Sequence, residues 1–196
     1  MKKALFLDRD GVINVDTGYV YKKEDFCFVD GIFDLCHRAR EQDFIIVVVT
    51  NQAGIARGYY TEDDFNTLNA WMLEEFKKQD ITISEVYYCP HHPEFGIGIY
   101  KQDSFFRKPN PGMIFKARDE FNIDLSNSII VGDKDSDIEA GRKAGIGKLI
   151  FFKGNYHYTP PDDVFICKSL FDAIHLVSCK RKDSGCSCLT GVKPDF

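Results

Sequence analysis

The chain has 196 residues, long enough for one domain with its own hydrophobic core. Hydrophobic residues make up 44% of it and charged residues 28%, the usual balance of a soluble globular protein. The net charge of −5 at pH 7 argues against a general binder of nucleic acids or anionic membranes, because such proteins need a basic face. A small anionic substrate is not excluded, since a local pocket can be positive on an acidic protein.

Strands and helices alternate in the predicted secondary structure. In chain order we predict a strand at 3–8, a helix at 31–42, a strand at 44–50, a helix at 61–79, a strand at 84–89, a helix at 111–122, a strand at 128–133, a helix at 136–145, strands at 148–152 and 163–167, and a helix at 169–177. This alternation predicts an α/β fold, a Rossmann-like doubly wound and mostly parallel sheet with helices on both faces. We expect one domain over residues 1–177 and a poorly ordered polar tail over 178–196.

Targeting signals are not evident in the sequence. The apolar run that follows the first lysines ends at Asp8, too early for a signal-peptide core. The longest apolar run, residues 44–49, is too short to cross a bilayer. The seven cysteines are therefore interpreted as reduced thiols, which predicts a cytoplasmic protein without membrane contact.

Reactive residue types follow several of the predicted strands. They are Asp8 and Asp10 after the first strand, Thr50, Asn51 and Gln52 after the second, Asp133 and Lys134 after the fourth, and Arg107 and Lys108 just before a helix. Ligands of an open parallel sheet bind beyond the carboxyl ends of its strands, so these residues predict one site at that edge.

The residue types at this edge favour phosphoryl transfer. Asp8, Asp10 and Asp133 form an oxygen-rich set that suits Mg²⁺. Lys108 and Arg107 supply positive charge for an anion, and the neutral side chains supply hydrogen-bond donors. The sequence has no G-x-x-x-x-G-K-[ST] loop, so NTP hydrolysis of the P-loop kind is not expected.

The motifs resemble a known family. "DRDG", a strand-terminal threonine, a later lysine and "GDKDSD" resemble, in that order, the four motifs of the haloacid dehalogenase superfamily. The resemblance extends to about residue 177 and leaves no room for an inserted cap domain. The strings "FLDRDGVIN", "DTGYV", "VVVTNQAGIARG", "YYCPHHPE", "RKPNPGM" and "VGDKDSDIEAG" closely resemble D,D-heptose 1,7-bisphosphate phosphatases, capless enzymes that remove the 7-phosphate in bacterial heptose synthesis for lipopolysaccharide or other surface glycans.

The resemblance implies a role for each matching residue. Asp8 would be the nucleophile that forms an aspartyl-phosphate, and Asp10 would act first as general acid and then as general base. Mg²⁺ would be held by Asp8, the backbone carbonyl of Asp10, and Asp133, while Thr50 and Lys108 would bind the transferring phosphate. Asp137 would orient Lys134 or Asp133. The implied substrate-binding residues are Asp16, Thr17, Gly18, Tyr19, Asn51, Gln52, Ala53, Arg107 and Lys134.

Three other functions remain open at this point. Histidinol-phosphate phosphatases share most of these strings. A non-catalytic phosphosugar-binding module is a second alternative, although such a protein would be expected to lack Asp8 or Asp10. A DNA-end phosphatase is a third, opposed by the negative net charge and the lack of a basic or aromatic stripe. We expect a small sugar phosphate as the partner, no nucleic acid, and a monomer.

The loop "YYCPHHPE" raises the question of a second metal. Cys89 and His91 have the C-x-H spacing of half a zinc site. In the family that the chain resembles, this half is commonly completed by a C-x-C directly before the Arg-Lys pair. Ser104 and Phe106 occupy those positions here, so Cys89 and His91 are interpreted as vestigial ligands and zinc is not expected.

Two further features bear on this loop. We expect Phe105 and Phe106 to stabilise it by apolar burial in place of the metal. Cys186 and Cys188 in the tail have the missing C-x-C spacing, and whether they complete a zinc site stays open.

Overall fold

The computed structural model describes residues 1–152 and 161–178, and it is built around a six-stranded sheet. The strands are β1 (Lys3–Leu7), β2 (Phe44–Asn51), β3 (Ile83–Cys89), β4 (Ile129–Gly132), β5 (Lys148–Phe152) and β6 (Val164–Cys167). Their order across the sheet is β3-β2-β1-β4-β5-β6, and every neighbouring pair is parallel. The helices are α1 (Ile32–Glu41), α2 (Ala53–Ala56), α3 (Glu62–Lys78), α4 (Gly112–Phe121), α5 (Asp135–Ala144) and α6 (Leu170–Ser178). The predicted doubly wound α/β fold is confirmed.

The strands β1, β2, β4 and β5 are largely buried on both faces because helices cover the sheet on both sides, whereas the edge strands β3 and β6 are partly exposed. Leu5 and Leu7 of β1 belong to one core, which also contains the buried sides of α1, α3 and α6. Ala4 and Phe6, which point the other way, belong to a second core with α4 and α5. Alternate side chains of a strand point to opposite faces, so a fully covered sheet needs continuous apolar strands such as residues 44–49.

The predicted elements lie within about two residues of the observed ones, except that the short helix α2 was not predicted. Thr61 caps α3 as expected: its hydroxyl accepts a hydrogen bond from the backbone N–H of Asp64, whose carboxylate accepts from the backbone N–H of Thr61. Ser178, the first residue assigned to the tail, instead ends α6. The remainder of that predicted tail lies outside the described residues.

Long loops without a cap domain surround the carboxyl edge of the sheet. Residues 8–31, between β1 and α1, contain one regular element, the 3₁₀ turn Lys23–Asp25. Residues 90–111, between β3 and α4, likewise contain only the 3₁₀ turn Gly98–Tyr100. The expectation of a capless fold is therefore confirmed. Within the described ranges, none of the helices has the length and apolar character needed to cross a membrane.

Candidate active site

The strand order reverses beside β1, and the candidate site lies at this point. β1 leads directly into Asp8, and its neighbour β4 leads into Asp133. The connection after β1 leads to one side of the sheet and the connection after β4 leads to the other, which opens a crevice between the two strand ends. Ligands of open parallel sheets bind in such crevices.

A cleft of about 450 Å³ opens at this crevice. Of the predicted site residues its walls contain Asp8, Asp10, Asp16, Gly18, Tyr19, Asn51, Ala53, Arg107, Lys108 and Lys134. Gly54, Tyr60, Pro109, Ser136 and Asp137 complete the lining. A larger cavity of about 750 Å³ lies at the opposite, amino edge of the sheet. The larger cavity contains none of the predicted residues, so volume alone is a poor guide to the site.

Lys108 forms the buried centre of the site. Its ammonium lies 2.9 Å from Asp8 Oδ1 and 2.5 Å from Asp137 Oδ1, and it donates to the carbonyl of Val49 at 2.7 Å. Burial by itself would lower the pKa of Lys108, but the two carboxylates outweigh it and the pKa is raised. Burial raises the pKa of Asp8, and Lys108 opposes that shift. The lysine is thus charged and held against the predicted nucleophile.

Three buried carboxylates at this point fit a hard divalent cation. Asp8, Asp133 and Asp137 each offer an oxygen, and these oxygens lie within 4.8 Å of one another. Asp133 Oδ1 is buried and has no hydrogen-bond partner in the described part of the chain. Burial, followed by the charge of Asp8, raises the pKa of Asp133 to about 8. Packed carboxylates of this kind are neutralised by Mg²⁺, whose preferred ligands are oxygens.

Glycine is required beside this cluster. Gly11 has φ +99°, and a Cβ placed on it would lie 2.1 Å from Asp133 Oδ2. The loop that contains Gly11 folds tightly because the backbone N–H groups of Ile13 and Asn14 donate to the carbonyl of Arg9. The "DRDG" turn therefore brings its backbone directly against Asp133.

The Asp10 carboxylate lies outside the acidic cluster and is held by other side chains. Arg9 Nη2 and Asn14 Nδ2 donate to its Oδ1 at 2.8 and 3.1 Å, and Gln52 Nε2 donates to its Oδ2 at 2.9 Å. Since the carboxylate is held in this way, a metal contact by Asp10 would come from its backbone carbonyl, as the resemblance implies. That contact stays a prediction. Tyr60 completes the arrangement by donating to Gln52 Oε1 at 2.6 Å.

Sequence reasoning missed three members of this network: Arg9, Asn14 and Tyr60. Arg9 is fully buried, donates to the carbonyl of Val20 at 2.6 Å and lies 5.4 Å from the ring of Phe65. A buried arginine is rare unless it is paired, and its position between two aspartates in "DRDG" was the available signal.

Thr50 and Asn51 connect the second strand to the rest of the site. Thr50 is buried, and its hydroxyl accepts from Gln52 Nε2 at 2.9 Å. Asn51 Nδ2 donates to the Lys108 carbonyl at 2.9 Å, while its Oδ1 accepts from the Lys108 N–H at 3.0 Å. This amide thereby fixes the backbone at Lys108 against β2.

Two residues expected to bind substrate do not contribute to the cleft wall. Thr17 is exposed beside it. Gln52 is 1% exposed and lies beneath the wall, because its amide is committed to Asp10, Thr50 and Tyr60. Gln52 is therefore placed to hold Asp10 and Thr50, and its predicted contact with substrate stays a prediction.

Asp16 and Asp137 both contact Lys134. Asp16 Oδ2 accepts from the Lys134 ammonium at 3.1 Å, and its Oδ1 accepts from the backbone N–H of Gly18 at 2.9 Å. Asp137 Oδ2 accepts from the backbone N–H of Lys134 at 3.0 Å, as expected. Its contact with Lys108 was not expected.

The loop after β3 is held by polar contacts. Cys89 Sγ lies 3.9 Å from His91 Nδ1. Phe105 and Phe106 are 57% and 44% exposed, so the prediction that they stabilise the loop by burial is wrong. Instead, Arg107 Nη1 donates to the His91 carbonyl at 3.2 Å. The absence of zinc stays a prediction, and Cys186 and Cys188 lie outside the described residues.

Comparison with known proteins identifies relatives whose names agree with one another. A HAD-hydrolase-like family model matches residues 105–165. The D-glycero-α-D-manno-heptose-1,7-bisphosphate 7-phosphatase of Burkholderia mallei is 58% identical over 148 residues, 76% of this chain and 78% of that protein. The D-glycero-β-D-manno-heptose-1,7-bisphosphate 7-phosphatase of Vibrio cholerae is 48% identical over 152 residues, 78% and 82% of the two chains. The D,D-heptose 1,7-bisphosphate phosphatase from B. bronchiseptica, crystallised with magnesium and phosphate, superposes with a TM-score of 0.75 at 25% identity and covers 89% of this chain and 97% of that one.

Proposed function

Because the chain belongs to the haloacid dehalogenase-like family of heptose-1,7-bisphosphate 7-phosphatases, we propose that it removes the 7-phosphate of D-glycero-α-D-manno-heptose 1,7-bisphosphate. The observation that carries this is the buried group of Asp8, Lys108 and Asp137 beside Asp133 at the switch point of the sheet. The α anomer is proposed because the α-named relative is 58% identical and the β-named one 48%.

Mg²⁺ is the proposed cofactor. Asp8 and Asp133, with the backbone carbonyl of Asp10, would hold it, and when bound it would offset negative charge on the phosphoryl oxygens. The buried, unpartnered Asp133 Oδ1 supports this assignment, as does the magnesium in the B. bronchiseptica relative. Asp137 is the least suited of the three carboxylates, because both of its oxygens already contact lysine residues.

Asp8 is the proposed nucleophile. Its Oδ1 accepts from the Lys108 ammonium at 2.9 Å and from the backbone N–H of Arg9 at 2.8 Å. Its Oδ2 has no hydrogen-bond donor among the described residues and is the proposed attacking oxygen. It would form a bond to phosphorus while the bond between phosphorus and the sugar oxygen breaks. Lys108 and the Thr50 hydroxyl hold the transferring group, and an aspartyl-phosphate forms.

Asp10 is the proposed general acid and base. Its carboxyl group lines the cleft and is held by Arg9, Asn14 and Gln52. It gives a proton to the leaving sugar oxygen, then takes one from the water that attacks the aspartyl-phosphate. Inorganic phosphate leaves and the Asp8 carboxylate is restored.

The nucleophile can be tested with Asp8→Asn. We expect phosphate release to fall below detection, and mass spectrometry of acid-quenched enzyme to find a phosphoryl adduct on the wild type but not on the variant. Asp119→Asn, a change at an exposed aspartate far from the cleft, is the matched control and should behave as wild type. Near-normal turnover by Asp8→Asn would overturn the covalent mechanism.

The cofactor and substrate can be tested in one assay series. EDTA should abolish activity, Mg²⁺ should restore it, and Ca²⁺ should inhibit because its looser coordination misplaces the attacking carboxylate. We expect kcat/KM for the α bisphosphate to exceed that for histidinol phosphate by at least about tenfold, roughly 1.4 kcal/mol of transition-state discrimination. The reverse order would favour histidinol phosphate as the substrate, and full activity after metal removal would exclude the cofactor.

The biological setting is proposed from the same relatives. The reaction would serve heptose precursor synthesis for lipopolysaccharide or another surface glycan. A reducing compartment such as the cytoplasm is supported by four cysteines that form no disulfide within the described residues, namely Cys27, Cys36, Cys89 and Cys167.

A further inference from the structure

Glu62, in the first turn of α3, joins the third strand to the loop that follows it. The Tyr88 hydroxyl of β3 donates to Glu62 Oε2 at 2.5 Å, and the Tyr100 hydroxyl donates to Oε1 at 2.7 Å. The hydrogen bond from Tyr88, followed by that from Tyr100, lowers the pKa of Glu62. The carboxylate is therefore charged at neutral pH, and hydrogen bonds to a charged acceptor are roughly twice as strong as neutral ones.

Apolar packing keeps the two phenol rings beside this carboxylate. The rings of Tyr88 and Tyr100 pack against a small buried cluster that contains Ile55, Tyr60 and Phe65. Tyr100 ends the 3₁₀ turn Gly98–Tyr100, which belongs to the long loop between β3 and α4. A helix, a strand and this loop thus meet at one carboxylate, and the position of Tyr100 depends on it.

One peptide unit connects Tyr100 to the wall of the cleft. The N–H of His92 donates to the Tyr100 carbonyl at 3.1 Å. The same peptide unit carries the His91 carbonyl, which accepts from Arg107 Nη1 at 3.2 Å. The N–H and C=O of a trans peptide point in opposite directions within one plane, so Tyr100 holds one side of the unit and Arg107 rests on the other. A displacement of Tyr100 would turn this plane and shift the support of a cleft-lining side chain.

Arg107 depends on this support because its side chain has no other polar contact within the described ranges. It makes one hydrogen bond there, to the His91 carbonyl, and no ion pair. A long side chain loses rotamer freedom when it binds a ligand, and a fixed acceptor reduces that loss because the side chain is already ordered. The His91 carbonyl is placed to have this effect on Arg107.

We propose that Glu62 is a positioning residue for substrate binding: through Tyr100 and the peptide unit that Tyr100 holds, it keeps Arg107 ordered in the cleft wall. Glu62 is not among the residues that line the cleft and makes no contact with the reacting group. This inference rests on the proposed function, because it takes Arg107 as a residue that binds the sugar phosphate. Loss of the contact between Glu62 and Tyr100 therefore weakens substrate binding and leaves the chemical step unchanged.

The test removes either end of this hydrogen bond. Tyr100→Phe and Glu62→Ala should each raise KM for heptose 1,7-bisphosphate about fivefold and change kcat by less than about twofold. An aryl phosphate, which has a reacting phosphate but no sugar, should show a change in kcat/KM of less than about twofold. Glu62→Gln keeps one acceptor oxygen and should recover part of the loss. Asp63→Ala is the matched control, since it removes a charge from the same helix turn without breaking the tyrosine contacts, and it should affect neither substrate.

A double-mutant cycle tests whether the effect passes through Arg107. In an Arg107→Gln background, Tyr100→Phe should raise KM for the bisphosphate by less than about twofold, because the side chain that it positions is gone. A full fivefold increase in that background would overturn the inference. So would an unchanged KM for Tyr100→Phe alone, or an equal loss on the bisphosphate and the aryl phosphate. In each of these cases the proposed function stands.

Amide hydrogen exchange followed by NMR gives a readout that does not depend on the substrate. The His92 N–H should exchange about tenfold faster in Tyr100→Phe than in the wild type or in Asp63→Ala, because its acceptor carbonyl is no longer held in place. A wild type that does not cleave the heptose bisphosphate refutes the proposed function. The exchange result then decides the positioning role alone: faster exchange supports it, and unchanged exchange overturns it.

Discussion

Replacing Tyr60 with phenylalanine tests the hydrogen-bonded support of Asp10. The change removes the hydroxyl that donates to Gln52 Oε1 at 2.6 Å. Water cannot readily take its place, because Gln52 is 1% and Tyr60 6% exposed. A buried acceptor left without a donor costs about 1–3 kcal/mol. For a chain of this size, a loss of about 2 kcal/mol lowers Tm by roughly 4–8 °C.

Activity should fall as well, because Gln52 orients two groups of the proposed mechanism. Its Nε2 donates to Asp10 Oδ2 and to Thr50 Oγ1, both at 2.9 Å. Without the Tyr60 hydroxyl, the Gln52 amide can rotate until its Oε1 finds another donor, and its Nε2 then no longer donates to Asp10 and Thr50. We therefore expect kcat to fall about tenfold with little change in KM.

Tyr21→Phe is the matched control for this experiment. The Tyr21 ring stacks on Tyr60 at 5.1 Å, and its hydroxyl makes no hydrogen bond to the described residues. Thermal unfolding followed by circular dichroism and steady-state phosphate release measure the two effects. Equal Tm and kcat for Tyr60→Phe and Tyr21→Phe would refute the argument that the Tyr60 hydroxyl supports the site.

Three other predictions concern the metal cluster, the buried lysine and the loop after β3. Gly11→Ala should cost at least about 1–2 kcal/mol from its positive φ and lower kcat on the order of 10²-fold, because its methyl group would displace Asp133. Lys108→Met should abolish turnover and destabilise the fold by about 3 kcal/mol or more, since it leaves the buried Asp137 without its cation. Purified protein should contain no stoichiometric zinc by elemental analysis, whether or not Cys89 is replaced by serine.

Each of these has a control and a contradicting outcome. Gly145→Ala changes a glycine at φ +80° with open space around it, so it should lower Tm without affecting kcat; an equal loss of kcat would remove the case for a clash at Gly11. Lys116→Met is the control for the general effect of losing a lysine charge. If Lys108→Met has the same Tm as Lys116→Met, the argument that Lys108 stabilises the fold by pairing with Asp137 is contradicted. Zinc bound in wild type and lost in Cys89→Ser would contradict the third prediction, and its loss in Cys186→Ser as well would assign the missing ligands to the tail.

Much of the site could be predicted because parallel strands end at one edge. Placing Asp8 and Asp133 together needed only the strand pattern and the rule for ligand sites in such sheets. The alternation of side chains along β2 could also have separated Gln52 from Asn51, since residues one apart point in opposite directions. At the end of β2 this alternation places the Gln52 side chain on the same face as Thr50, and it therefore indicates that Gln52 is buried.

Other features depend on contacts that no local pattern contains. The burial of Arg9 depends on the Val20 carbonyl and the Phe65 ring, which only the folded chain brings to it. The exposure of Phe105 and Phe106 could not be read from composition, because much of any folded surface is apolar.

The double hydrogen bond between Asn51 and the Lys108 backbone affects how the cleft can open. It joins residues 57 positions apart in the chain and ties the backbone at Lys108 to the residue after Thr50, so the proposed phosphate-binding pair is linked by two hydrogen bonds. Product release cannot then proceed by moving these two groups apart without breaking both bonds. Phosphate is therefore expected to leave with Thr50 and Lys108 in place, past the side of the cleft that carries the 44% exposed Tyr19.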